Sequence, residues 1–571
     1  MENGKPKFLE VQNLTISFNQ EGQLKPVLNS LSYTLSEGET LGLVGESGSG
    51  KSVSALSILG LLGSSAKVTG KILFSGLNIL GQSEKSLRKI RGIKISMIFQ
   101  EPMTSLNPVI SCGEQVAEIL KVHLKLNSKE AKSESIRLFG EVELPSPEKV
   151  FDSHPYQLSG GQRQRVMIAM AICTNPEILI ADEPTTALDV TVQKTIVDLL
   201  LRLKKNRGMS MIFISHDLGL VNLVADKVLI LYKGNLVEQG LTEQIFRYPK
   251  HPYTQGLLAC RPIENQGLSR LPVNSDFMEV DSAGNLISKL ESIEEVRARL
   301  KTNPELVAAR RESIYEQKPV IQVQDLSKKY KNYTAVNNVS FDIFPGETLG
   351  LVGESGCGKS TLARSLILLI EPTAGHIFFK NEDLTKISPK KLKEFRKKMQ
   401  LIFQDPYSSL NPRQTIGDTL MEPLEIFKIG KNSSERKIMA LELLEKVQML
   451  PEHFYRYPHE FSGGQRQRIG IARALSLSPE FIICDESVSA LDVSIQAQII
   501  NLLISLREEY KLTILFISHD LSVVRFISDR ILVMNKGKFE EEGTPDEIYF
   551  KPKSDYTKRL LEAIPNTIYN S

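Results

Sequence analysis

GLVGESGSGKSVS begins at Gly42, and GLVGESGCGKSTL begins at Gly350. Each stretch holds two glycines five positions apart, then Lys and Ser. The first run is Gly45, Glu46, Ser47, Gly48, Ser49, Gly50, Lys51, Ser52 and Val53. The second is Gly353, Glu354, Ser355, Gly356, Cys357, Gly358, Lys359, Ser360 and Thr361. The chemistry open to such a run is phosphate binding. A strand that ends in a glycine-rich turn and opens a helix points successive backbone N–H groups at the β- and γ-phosphates of a nucleotide. Lys51 and Lys359 neutralise phosphate charge there, and Ser52 and Ser360 set a hydroxyl on Mg²⁺. One such run could be an ordinary Gly/Ser surface turn. Two runs, each entered through the same apolar strand TLGLV, argue against that.

Other residues able to do chemistry also occur twice. ILIADE ends in Asp182 and Glu183, and FIICDE ends in Asp485 and Glu486. Both read as buried strands that deliver two carboxylates to a C-terminal sheet edge, where α/β proteins hold ligands. IFQ places Gln100 and Gln404, and FISHD places His216 and His519. LSGGQRQR supplies Ser159, Gly160, Gly161 and Gln162, while FSGGQRQR supplies Ser462, Gly463, Gly464 and Gln465.

The elements that must position these residues repeat in the same order. Each half opens with β-rich segments, FLEVQNLTISF or VIQVQDLSKKY. Apolar strands alternating with helices follow, which predicts an α/β core with parallel strands. From Gln100 to Ser159, and from Gln404 to Ser462, the chain is rich in Leu, Glu and Lys and reads as an inserted helical subdomain. Self-similarity over such a span means two copies of one domain, not a solenoid of short units.

Composition bounds the rest. With 571 residues, 41% of them apolar and 24% charged, the chain is able to bury substantial cores. A net charge of +3 gives no global field that would favour nucleic acid. The basic run SPKKLKEFRKK (388–398) has a counterpart, SEKSLRKIRG, before the first IFQ, so it reads as a solvated amphipathic helix. MENGKPKFLEVQ lacks a signal-peptide pattern, and the longest apolar segments are too short to span a bilayer. Cys112, Cys173, Cys260, Cys357 and Cys484 form no CxxC, so a reduced protein without a disulfide framework or structural zinc is expected.

On these motifs, present in order in both halves, the sequence resembles the ATP-binding cassette ATPases. The resemblance implies two P-loop cassettes in tandem, each with a parallel-sheet core, an antiparallel β subdomain and a helical subdomain. It implies ATP and Mg²⁺ as ligands. Asp182 and Asp485 then hold the metal together with Ser52, Ser360, Gln100 and Gln404. Glu183 and Glu486 orient the attacking water, and His216 and His519 contact the γ-phosphate. Phe18 and Tyr330 stack on adenine. The family arrangement is head to tail: Ser159 to Gln162 complete the site built on Lys359, Ser462 to Gln465 complete that built on Lys51, and Asp189 and Asp492 line the interface.

Two features point to a branch of the family. FQEPMTSLNP and FQDPYSSLNP resemble the extended glutamine loop of oligopeptide, dipeptide and nickel importers. HPYTQGLLACRP (251–262) resembles the C-terminal extension of that group. SDYTKRLLEAIP (554–565) keeps Tyr556, Thr557, Leu560, Leu561 and Pro565 of it. The expected layout is a first cassette over 1–262, a linker over 263–317 and a second cassette over 318–571. Fused forms resembling this serve glutathione and microcin-type peptide uptake. The expected partners are two membrane permeases and, through them, a solute-binding protein, with the chain peripheral on the cytoplasmic face of the bacterial inner membrane. Some relatives hold an iron–sulfur centre in the extension; with Cys260 alone there, none is expected. The competing reading is a soluble twin-cassette factor acting on ribosomes, and the extensions and glutamine loops speak against it.

Overall fold

Thr40–Val44, Ile178–Asp182 and Ser210–Ile214 are apolar nearly throughout, and every residue in them is buried. Strands covered on both faces belong in the middle of a parallel sheet. That is where they lie in the computed structural model, which describes residues 7–20, 22–101, 105–186, 188–262, 265, 267–281, 286–405, 407, 409–489 and 491–564. Pro565 of the second extension lies outside the described residues. The chain divides into two compact units, one reaching Leu258 and the other running from Ala259 to Ile564.

In the first unit a six-stranded sheet has the order Asn235–Leu241, Lys227–Tyr232, Thr40–Val44, Ser210–Ile214, Ile178–Asp182, Ile95–Ile98. Its pairs are parallel except at the edge, where Asn235–Leu241 runs antiparallel to Lys227–Tyr232. A separate antiparallel sheet joins Gln23–Ser36, Lys7–Gln20, Ala66–Phe74 and Leu77–Asn78. Alternation along Gln23–Ser36 turns Leu28, Leu31, Tyr33 and Leu35 into the core shared with Leu41 and Leu43. The inserted helices are Cys112–Leu124, Ser128–Glu141 and Pro147–Asp152. The first two start on side-chain caps: Ser111 accepts the Glu114 N–H, and Asn127 forms a capping box with Glu130.

The second unit repeats the plan. Its large sheet runs Met399–Ile402, Phe481–Asp485, Thr513–Ser518, Thr348–Val352, Arg530–Asn535, Lys538–Gly543. Its antiparallel sheet joins Tyr333–Ile343, Ile321–Tyr330, Ala374–Phe379 and Glu382–Asp383. Helices Ile416–Ile426 and Ser433–Lys446 form the insertion.

The stretch ahead of the second repeat is folded. Helices Ile293–Leu300 and Pro304–Tyr315 follow the hairpin Met278–Val280/Leu286–Ser288. Ala259, Phe277, Val296 and Leu300 make a small core of their own. Leu271 is inserted in the core of the second unit, where the Asn501 amide donates to its carbonyl and accepts its N–H, both at 2.8 Å. The Arg310 guanidinium grips Asp529 with both terminal nitrogens.

Candidate functional site

The phosphate loop of each unit leaves a buried strand and enters a helix: Thr40–Val44 into Lys51–Ile58, Thr348–Val352 into Lys359–Leu366. Gly50 and Gly358 cap those helices in the left-handed region, at φ 97° and 115°. A Cβ on Gly358 would stand 2.1 Å from the Ala335 carbonyl, so the turn admits only glycine. The lysines fold back over their own loops. Lys51 Nζ donates to the carbonyls of Gly45 (2.7 Å) and Glu46 (2.9 Å), and Lys359 Nζ to those of Gly353 (2.7 Å) and Glu354 (3.0 Å).

Two carboxylates arrive from the neighbouring strand. Ser52 Oγ donates to Asp182 Oδ1 at 3.1 Å, and Ser360 Oγ to Asp485 Oδ1 at 2.9 Å. Glu183 and Glu486, one residue past the strand, turn to φ 46° and 47°, where a side chain is strained. The turn is pinned by their own N–H groups, which donate to Ile214 and Ile517 of the adjacent strand. Strain held in both copies at one position is what a fixed functional carboxylate needs. Gln100 Nε2 donates to Glu183 at 3.0 Å and Gln404 Nε2 to Glu486 at 2.8 Å. His216 Nδ1 lies 3.3 Å from Glu183, and His519 Nδ1 3.6 Å from Glu486. Lys359 adds an ion pair to Glu486 at 3.4 Å.

The two acids of a pair titrate in opposite directions. Burial raises Asp182 to about 6, with the Ser52 hydroxyl only partly offsetting it and the Glu183 charge adding to it. Burial also pushes on Glu183, yet its bond to His216, the histidine charge, the Thr186 hydroxyl and Lys51 outweigh that and bring it to about 2. Asp485 is raised and Glu486 lowered for matching reasons. One buried carboxylate in each site thus has room for a further compensating charge, since Lys51, or Arg364 and Lys359, offset its burial only in part. A hard divalent cation beside a Ser hydroxyl supplies one, so the donors fit Mg²⁺.

Open pockets lie over both loops. The first is lined by Val27, Ser47, Gly48, Lys51, Gln100 and Glu183. The second is lined by Tyr333, Ser355, Gly356, Lys359, Gln404 and Glu486. Phe18 is half-buried and packs on the β core. Tyr330 is exposed, with the Lys328 ammonium 5.2 Å above its ring. Tyr333, not singled out from sequence, lines the second pocket and donates its hydroxyl to the Gly356 carbonyl at 2.8 Å. Thr186 was also missed; its hydroxyl donates to Glu183 at 2.8 Å. Cys357 faces inward, its thiol buried in the apolar core beneath the loop.

SGGQ is a helix start. Ser159 Oγ accepts the Gln162 N–H while the Gln162 side chain accepts the Ser159 N–H, a capping box repeated by Ser462 and Gln465. The next glycine is set by packing. A Cβ on Gly161 would meet Val192 Cγ1 at 2.8 Å, and one on Gly464 would meet Ile495 Cγ2 at 2.3 Å, whereas Gly463 has 3.6 Å to Leu491. Gly464→Ala is therefore expected to cost about 1–3 kcal/mol of stability by overpacking, and Gly463→Ala much less, as read from urea unfolding midpoints. Asp189 and Asp492 stand at the N-caps of the helices Val190–Arg207 and Val493–Tyr510, which supply Val192 and Ile495.

Residues 28–186 and 336–489 match the ABC transporter family, and residues 237–276 match the C-terminal region of oligopeptide/dipeptide transporters. The chain belongs to the ABC transporter family and is an ATP-binding cassette ATPase with two cassettes in tandem. Among its relatives is glutathione import ATP-binding protein GsiA of Salmonella choleraesuis, 46% identical over 98% of this chain and 89% of that protein. The protein of the same name from Escherichia coli K12 is 45% identical over the same shares. A solved dimeric cassette, MJ0796, in a post-hydrolysis state with ADP and Pi is 32% identical, covering 39% of this chain and 98% of that one at a TM-score of 0.37.

Proposed function

We propose that this chain is the ATP-hydrolysing subunit of an importer that takes up glutathione or a related short peptide, and that both of its sites turn over. The observation that carries the reading is the doubled set of Lys, Ser–Asp and Gln–Glu–His on a chain alike, nearly end to end, to import ATP-binding proteins. The match of 237–276 to the oligopeptide/dipeptide group supports the branch, and nothing supports the ribosomal alternative. Each cassette, 1–262 and 318–571, contributes one phosphate loop, joined through 263–317.

In this reading Lys51 and Lys359 exchange their loop carbonyls for triphosphate oxygens. Asp182 with Ser52 and Gln100, and Asp485 with Ser360 and Gln404, would hold Mg²⁺, which would supply neutralisation of the phosphate charge. Glu183 and Glu486, kept ionised, accept a hydrogen bond from water and aim it at the γ-phosphorus. Gln100 and His216, or Gln404 and His519, keep that carboxylate in place. Ser159 and Ser462 close over the nucleotide of the opposite cassette, since phosphoryl transfer gains most from positioned donors and exclusion of water.

The partners in this proposal are two permeases and, through them, a solute-binding protein, at the cytoplasmic face of the inner membrane. No helix among the described residues is long and apolar enough to cross a membrane. In the first unit an apolar groove of about 470 Å³ beside Gln100, lined by Leu61, Met97, Phe99, Ile119 and Met167, suits a helix from a permease cytoplasmic loop. The complex reconstituted with its permeases and binding protein is expected to raise ATP turnover several-fold on adding glutathione or a short peptide. Stimulation by neither, together with cofractionation with ribosomes, would overturn the reading.

A further inference from the structure

Far along the chain from each phosphate loop, a tyrosine returns to touch it. Tyr253 Oη accepts the Glu46 N–H at 3.2 Å, and Tyr556 Oη accepts the Glu354 N–H at 3.0 Å. These N–H groups belong to the same peptide units whose carbonyls, on Gly45 and Gly353, receive the lysine ammonium at 2.7 Å. One peptide group in each loop is therefore held at both ends, by a tyrosine hydroxyl on its N–H and a lysine on its oxygen. Bonds in series through one amide polarise each other, and the first fixes the direction of the second.

The tyrosines are themselves fixed. Tyr253 is fully buried, its ring 4.3 Å from that of Tyr232, and Tyr556 is 6% exposed. They ride on helices Pro252–Ala259 and Asp555–Glu562. Each helix is anchored at its start by a carboxylate from the sheet edge. Glu238 accepts the N–H groups of Lys250 and His251 at 2.9 and 3.0 Å, and Glu541 those of Lys553 and Ser554 at 2.8 and 3.1 Å. The surrounding sequences, HPYT and SDYT, differ at two of four positions, yet carboxylate, helix and tyrosine contact recur.

We infer that Tyr253 and Tyr556 are positioning residues for the phosphate-loop lysines, which makes the C-terminal extension of each cassette a working part of its nucleotide site. The inference rests on the nucleotide reading above. Removing the two hydroxyls leaves the rings in place and frees the peptide units that aim Lys51 and Lys359.

The test is Tyr253→Phe with Tyr556→Phe in the full chain, with the two single variants alongside. Tyr315→Phe serves as a control, since its hydroxyl bonds Glu347 outside the loops. Readouts are the equilibrium Kd for MgATP, KM and kcat for hydrolysis, and the unfolding midpoint without nucleotide. The expected result is MgATP binding about 3- to 10-fold weaker, the worth of one buried hydrogen bond, with KM raised by a similar factor and kcat nearly unchanged. Each single variant shows the weakening at one of two sites, which keeps the test open should the double variant fail to fold. A lower unfolding midpoint with unchanged Kd, the pattern expected of Tyr315→Phe, would overturn the inference and leave the tyrosines as core residues. Wild-type protein that fails to bind MgATP would instead overturn the nucleotide reading.

Discussion

Replacing Glu183 and Glu486 together by glutamine is expected to cut ATP turnover by about 10²- to 10⁴-fold, the usual worth of a group that handles the attacking water's proton. MgATP should stay bound. The side chains are nearly isosteric, and the left-handed turn that aims them, at φ 46° and 47°, belongs to the backbone and survives the exchange. What is lost is charge. The environment of Glu183 is built to keep it ionised, with His216, Thr186 and Gln100 directed at its carboxylate and the Lys51 charge favouring the anion. A neutral amide there also presents an NH₂ group to partners that are donors themselves. Single-turnover hydrolysis separates the chemical step from binding. Turnover within about twofold of wild type would show that these carboxylates do not act on water.

The two single variants need not match. Thr186 gives its hydroxyl to the Glu183 carboxylate, but Ser489, at the equivalent place, gives its hydroxyl to the Glu486 backbone carbonyl at 2.9 Å. Glu486 is compensated by Lys359 at 3.4 Å in its stead. The second carboxylate therefore depends more on the lysine that the triphosphate will draw away.

Much of this site is legible in the sequence because parallel α/β topology does the assembling. Lys51, the pair Asp182–Glu183 and His216 are distant in sequence, but each sits at or just beyond the C-terminal end of an inner strand, and strand order alone makes them neighbours. Residues placed by register or by long-range packing are harder to read. Tyr330 and Tyr333 face each other across a hairpin whose register shifts at Leu326/Lys328 and Lys328/Lys329, so pattern does not tell which one reaches the pocket. The bond from Tyr253 to Glu46 depends on how an extension helix packs back onto the loop, and no local period encodes that. The strain at Glu183 is equally silent, since a glutamate with positive φ has no sequence mark. The stretch over 263–317 reads as polar, and the core it builds from Phe277, Val296 and Leu300 is too sparse to stand out as a pattern.

A double-mutant cycle decides which serine serves which lysine. Ser159 and Ser462 spend a lone pair on their own helices, accepting the N–H groups of Gln162 and Gln465, and a hydroxyl that accepts still has a hydrogen to donate. In the proposed head-to-tail arrangement Ser159 gives that hydrogen to nucleotide held by Lys359. Lys359→Ala alone is expected to lower turnover by about 10²- to 10³-fold at its site, as for the loss of any preorganised transition-state donor. Adding Ser159→Ala to it removes a group from a site already disabled, so the second loss should be negligible. Adding Ser159→Ala to Lys51→Ala disables the one site left working, so total turnover should collapse rather than stay near half. Losing the serine cap costs about 1 kcal/mol of helix stability in either background, so that effect cancels across the cycle. The opposite pattern, with Ser159→Ala silent beside Lys51→Ala and turnover collapsing beside Lys359→Ala, would mean that each cassette closes over its own nucleotide.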